Sequence, residues 1–243
     1  MRSFFNLILA TVFMMSLFAC GSDDNGKDSL FEEPEMIYVK GGMLGINNHD
    51  IYSNVKVSSF NISKYEITQG QWEAVMGTTQ REQMESAGRD RLYGEGYNYP
   101  IHYVNCWEAQ EFCNKLNTLT GKNYRLPTKE EWEYAARGGE KRKGYTYSGN
   151  DNIDKVAWYN INSKGVTHKV GTKRSNELGI HDMTGNVSEW CSDSYVDFNP
   201  FDVRYVCGGG WGDNILNCRI ANSYHLTGIY KREGNLGFRV VLP

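Results

Sequence analysis

The stretch Asn176-Glu177-Leu178-Gly179-Ile180-His181-Asp182-Met183-Thr184-Gly185-Asn186-Val187-Ser188-Glu189-Trp190 lies in the half of the chain where no long helical period survives. Glycine, asparagine and aspartate punctuate it, so it reads as consecutive turns rather than as a helix or a long strand. Two carboxylates, Asp182 and Glu189, flank its Thr184-Gly185-Asn186 centre. Past residue 140 the chain keeps this character, with short aromatic segments between Gly, Asn, Asp and Ser. It closes on Gly237-Phe238-Arg239-Val240-Val241-Leu242, which reads as a final strand.

Helices belong to the first half. Thr68 and Gln71 fit a capping box ahead of a helix that buries Trp72, Val75 and Met76. Asn105 and Glu108 open a second, with Trp107, Ala109, Phe112, Cys113 and Leu116 as its apolar stripe and Gly121 as its stop. Thr128 and Glu131 open a third, which runs through Trp132 to Ala136 and stops at Gly138-Gly139. Residues 35–43 read as a first strand with a glycine turn. Val55, Val57 and Ser59 alternate with polar neighbours, and Phe60 and Ile62 then switch parity, which predicts a bulge. Residues 80–98 read as a polar surface excursion. The fold class expected is α+β and loop-rich, with two to three helices and small mixed sheets.

The chain has 243 residues, 40% apolar and 23% charged, with a net charge of −3. This is the composition of one substantial globular domain, and no internal repeat or break marks a second. The charge excludes the basic footprint that nucleic acid requires. The first residues are of another kind. Arg2 precedes an apolar run from Phe4 to Ala19 that is too short to span a bilayer and is laid out like a signal peptide. It ends on Ala19-Cys20, which resembles a bacterial lipobox and implies lipidation of Cys20. The expected organisation is a leader over residues 1–19, a lipid-anchored flexible tether over 20–34 and a folded domain over 35–243. Asp23 and Asp24 resemble signals that send some lipoproteins to the cell surface, so the expected location is the outer membrane or cell surface. Cys106, Cys113, Cys191, Cys207 and Cys218 remain after processing, an odd number whose pairing the sequence leaves open. The five histidines show none of the usual transition-metal spacings.

Four stretches, in order, carry a resemblance. They are Lys64-Tyr65-Glu66-Ile67-Thr68 with Gln71-Trp72; Tyr124-Arg125-Leu126-Pro127-Thr128 with Glu131-Trp132-Glu133-Tyr134-Ala135-Ala136-Arg137-Gly138-Gly139; residues 176–190 as quoted; and Gly237-Phe238-Arg239. Together they resemble the formylglycine-generating enzyme (sulfatase-modifying factor) family over about residues 35–243. The resemblance implies a variant of the C-type lectin fold. It also implies a structural calcium loop with the side chains of Asp182 and Glu189 and the carbonyls of Gly185 and Val187 as ligands. Hard oxygen donors in a tight turn suit Ca²⁺, which takes ~6–8 of them.

The family's oxidase chemistry needs a pair of cysteines after a Gly-Gly-Ser element, because soft thiolates hold Cu(I). Here Cys218 falls on the second cysteine position, Asp213 on the first, and Gly210 on the serine. A carboxylate is too hard to replace a thiolate, so no copper is expected, and Cys218 is catalytic only if the chain is an enzyme at all. The residues in the place of that site are Gly210, Gly212, Asp213, Asn214, Ile215, Asn217, Ser223, Tyr224, His225, Thr227, Gly228 and Tyr230. Their types resemble the variable region of retroelement-diversified lectin-fold proteins, and such Tyr, Ser, Gly and Asn mixtures suit a binding face. Drift in a dead loop would also produce them. Three functions follow: a non-catalytic, surface-displayed module, expected as a monomer, binding a protein or glycan; an oxidative enzyme with an altered metal site; or a structural adaptor in an envelope assembly.

Overall fold

The computed structural model describes residues 31–45, 55–194, 203–222 and 225–243. The leader, Cys20, Ser223 and Tyr224 lie outside the described residues. Among the described residues the fold is α+β, with four helices and three small sheets. β1 (Met36–Val39) and β9 (Val241–Leu242) flank β4 (Phe60–Ser63), both antiparallel to it, so the first and last strands share one sheet. β2 (Gly42–Met43) pairs with β3 (Lys56–Val57). The third sheet runs β7 (His225–Gly228), β6 (Val203–Cys207), β5 (Ser188–Ser194), β8 (Leu236–Gly237), with only the β5–β8 pair parallel. No helix among the described residues is long and apolar enough to cross a membrane.

Each helix begins where its side chains supply the missing hydrogen bonds. Thr68, Asn105 and Thr128 cap α1 (Gln69–Met76), α3 (Cys106–Thr120) and α4 (Lys129–Ala136), each in a complete capping box. Gly77 and Gly121 stop α1 and α3 in the left-handed conformation. The buried faces of α1 and α3 meet through Trp72 stacked on Phe112 at 5.8 Å, with Phe238 edge-on to both. A second apolar cluster gathers Trp132 and Tyr134 of α4 against Phe60, Ile62 and Met183.

Several expectations need correction. α2 (Gln80–Ser86) is a fourth helix inside the segment expected to be an excursion, capped by Thr79 and Glu82. Trp107, expected in the buried stripe of α3, is exposed. The parity switch at Phe60 is no bulge, because the chain leaves the β2–β3 sheet and enters the β1–β4–β9 sheet there. The closing segment is two short strands in different sheets, with Phe238-Arg239-Val240 buried between them. The end of the expected tether is docked: Pro34 is buried, and the carboxylate of Glu33 accepts hydrogen bonds from Tyr124 Oη and Lys122 Nζ.

Removing the Thr128 hydroxyl leaves the N–H of Glu131 without its cap. A Thr128→Ala variant should lose about 1 kcal/mol of stability, read as a lower urea midpoint at unchanged m-value.

Candidate functional site

The four sequence motifs converge on one buried ion pair. Arg239 comes from the turn after β8 and Glu189 from β5. Arg239 Nε donates to Glu189 Oε2 and Nη2 to Oε1, both at 2.7 Å, with both side chains fully enclosed. The remaining donors of the guanidinium reach the carbonyls of Ser63 and His181, and Trp132 Nε1 donates to Glu189 Oε2 at 2.6 Å. Glu66 lies close by, accepting from Asn186 Nδ2 and the N–H of Val187. Burial, with Asp182 and Glu189 nearby, pushes the Glu66 carboxyl well above the usual carboxylate range, and Arg239 opposes the shift. Asn186 and Asp182 both hold positive φ, and Gly185 has φ 78° with Trp158 O where a Cβ would stand. Only glycine fits that close approach.

The residues expected to hold calcium take the following places. Glu189 is turned to Arg239 and Trp132. Asp182 accepts from the N–H of Gly171 through Oδ2, while its buried Oδ1 has no hydrogen-bond partner. The two carboxylates thus take separate hydrogen-bond partners in this structure. Gly185 and Val187 shape the turn through their N–H groups, which donate to Gly208 O and Glu66 Oε1.

The loop after β6 lies directly above this core. The N–H of Trp211 donates to Asn186 O at 2.7 Å, and Asp213 O accepts from the N–H of Asn160. Inside the loop Asp213 Oδ2 accepts from the N–H of Gly210 at 2.7 Å, and Asn214 Oδ1 accepts from the N–H groups of Leu216 and Asn217. Such side-chain-to-backbone bonds hold successive turns without regular structure. Cys218 sits beneath, fully buried against Tyr147, Val156 and Tyr159, and burial pushes its thiol up to about 12. No thiolate forms there at neutral pH.

Beside the loop opens a cleft of about 350 Å³ lined by Arg89, Tyr93, Tyr103, Trp211, Gly212, Asp213, Glu233, Gly234 and Asn235. Its aromatic wall is Trp211 against Tyr93, ring centres 4.6 Å apart, with Tyr103 at 6.2 Å from Tyr93. Trp211 Nε1 donates to Gly234 O and Tyr103 Oη to Arg91 O, which fixes both rings. A Cβ on Gly234 would stand 2.4 Å from the Tyr93 ring, so glycine is required for this wall. Glu233 is paired with Lys231.

Of the residues expected on a binding face, Gly212, Asn214, Ile215, Asn217, His225, Gly228 and Tyr230 are exposed and Asp213 is half-buried. Gly210 and Thr227 are buried and present no surface, a correction. Leu216 and Ile161, which the sequence reading did not single out as ligand contacts, are exposed as well. Arg89, Tyr93, Tyr103, Glu233 and Asn235 were equally absent from it, and no local pattern in the sequence ties them to the loop.

The fold and the loop-borne cleft define a lectin-like scaffold of the sulfatase-modifying-factor kind. The chain belongs to the sulfatase-modifying factor enzyme 1-like domain family, whose model matches residues 22–243. The chaperone protein LppX of Paenibacillus barcinonensis is 33% identical over 270 residues, covering 88% of this chain and 90% of that protein. Among solved structures, CarF superposes with a TM-score of 0.71 at 26% identity, covering 87% of this chain and 98% of its own. Treponema denticola variable protein 1 does so with the same TM-score and identity, covering 85% and 94%.

Removing one member of the buried pair strands the other. Arg239→Met should destabilise by about 3–5 kcal/mol in urea unfolding, and the Glu189→Leu, Arg239→Met double variant by less than the sum of the single changes. Burial raises the Asp182 carboxyl to about 6. The folded state then binds more protons than the unfolded chain between about pH 4 and 6, so this group makes stability fall as pH rises through that window. Asp182→Asn should flatten that slope, read as unfolding midpoints from pH 4 to 8.

Proposed function

We propose that the domain is a non-catalytic recognition module that holds a partner protein or glycan on the face formed by residues 211–217, residues 225–230 and the adjoining aromatic cleft. One observation carries this reading: the single cysteine left at the oxidase position is sealed beneath a loop whose outer surface is exposed. A thiol at 0% exposure cannot meet a peptide substrate, and Asp213 spends its carboxylate on the N–H of Gly210. The outer surface instead offers Tyr230, 74% exposed, with Ile215 and Leu216 on an internally bonded loop. Rigid aromatic and aliphatic groups lose little entropy on contact, which favours affinity. The likeness to a protein titled as variable agrees with a face built for recognition. Lipidation at Cys20 would place this face outside the cytoplasm on the end of a short tether.

A second reading, an adaptor or chaperone-like role toward another exported protein, is favoured by the LppX relative and by a distinct apolar patch. Trp107 is exposed at a small groove that it lines with Cys106, Leu126, Ile229 and Arg204.

Photo-crosslinking separates these outcomes. A photoreactive residue at Ile215 or Tyr230 should give discrete adducts in cells, and one at Leu119 on α3 should not. Adducts from position 107 but not 215 would favour the adaptor reading. Cu(I)-loaded protein given a cysteine-containing sulfatase peptide should yield no formylglycine by mass spectrometry, and turnover would refute the non-catalytic assignment.

A further inference from the structure

Cys191 and Cys207 are adjacent in space although the sequence gave no reason to pair them. Cys207 lies opposite Glu189 in the β5–β6 ladder, so Cys191 stands diagonally from it. Diagonal neighbours in a regular antiparallel ladder are ~7–8 Å apart. The register shifts between Trp190 and Ser194, and the two sulfurs lie 3.6 Å from each other. Both side chains are buried, at 0% and 2% exposure. All five cysteines of the folded domain, Cys191 and Cys207 included, are buried free thiols in this structure, and no second sulfur–sulfur contact is seen among the described residues.

We propose that Cys191 and Cys207 are a disulfide site, closed while the chain folds in the presence of a disulfide donor and sealed from exchange once the core has formed. The chemistry is thiol–disulfide exchange with a donor R–S–S–R. One cysteine thiolate attacks a donor sulfur and releases R–SH after proton uptake. The second cysteine, as its thiolate, then attacks the mixed disulfide and releases the other R–SH. One S–S bond breaks and one forms. Two electrons and two protons pass from the cysteines to the donor. Burial explains the ordering. An exchange partner must reach the sulfur in line, and exchange needs the thiolate, which an apolar interior disfavours. Burial raises the Cys191 thiol well above its ordinary range. The folded thiols are therefore inert, whereas the same thiols in the unfolded chain are ordinary nucleophiles.

The position gives the bond a consequence. Cys207 directly precedes Gly208-Gly209-Gly210, the root of the cleft-forming loop, and lies across the ladder from Glu189. A bond here would clamp the two central strands where the loop departs. This inference stands independently of the recognition reading.

The test uses the full chain in detergent. One sample is unfolded under reduction and refolded in an oxidised/reduced glutathione buffer. A second is refolded under reduction and only then exposed to the same buffer. Both are denatured in alkylating reagent and mapped by mass spectrometry. The first should contain a 191–207 linked peptide lighter by two hydrogens, and the second should carry alkyl groups on both cysteines. The oxidised form should melt about 6–12 °C above the reduced form. Full alkylation of both residues in the first sample, linkage of a different pair, or ready oxidation of the already folded chain would each overturn the proposal.

Discussion

The Arg239–Glu189 pair is the constraint on which the rest of the fold depends. Two opposite charges with no water around them persist only when every donor and lone pair is used. The guanidinium draws the carbonyls of Ser63 and His181 toward it beside its two bonds to Glu189, while Trp132 donates to the carboxylate. Those partners lie on β4, the long turn, α4, β5 and the segment after β8. Pieces far apart in sequence are thereby held to one point. The irregular segment over residues 142–187 needs such a point, because no strand lies in it to fix its path.

The loop after β6 is tied to this node through Asn186 O, and within it Asp213 caps a turn by accepting from the N–H of Gly210. Cys218 keeps its identity but packs among Tyr147, Val156 and Tyr159 as a small apolar group. A thiol in that setting contributes to packing and has no access to substrate. The cleft beside the loop is walled by Trp211 and Tyr103, each hydrogen-bonded to backbone, and by Tyr93 packed against both.

Much of this was legible in the sequence wherever local chemistry decides structure. The capping residues of α1, α3 and α4 were readable because a side chain three residues away reports directly on a helix start. Residues 176–190 and Gly237-Phe238-Arg239 announced the fold through order and identity. α2 was missed because its capping box, Thr79 and Glu82, opens a segment with only Met84 and little apolar period to follow. The cleft was only half legible. Gly212 and Asp213 lie on the loop that drew attention, but Tyr93 and Tyr103 reach it across the molecule, a contact no local period encodes. The hydrogen-bond partners of Glu189 and Asp182 are long-range facts that no local pattern encodes.

The bonds that hold the loop over residues 210–219 run mostly through backbone atoms and through the side chains of Asp213 and Asn214. Ile215, Leu216 and Tyr230 take no side-chain part in those bonds. Their replacement therefore leaves the folding free energy almost untouched, in the way of ordinary surface substitutions. Evolution can then explore new surfaces at these positions without first acquiring compensating mutations elsewhere, while Asp213 and Asn214 remain bound to the architecture.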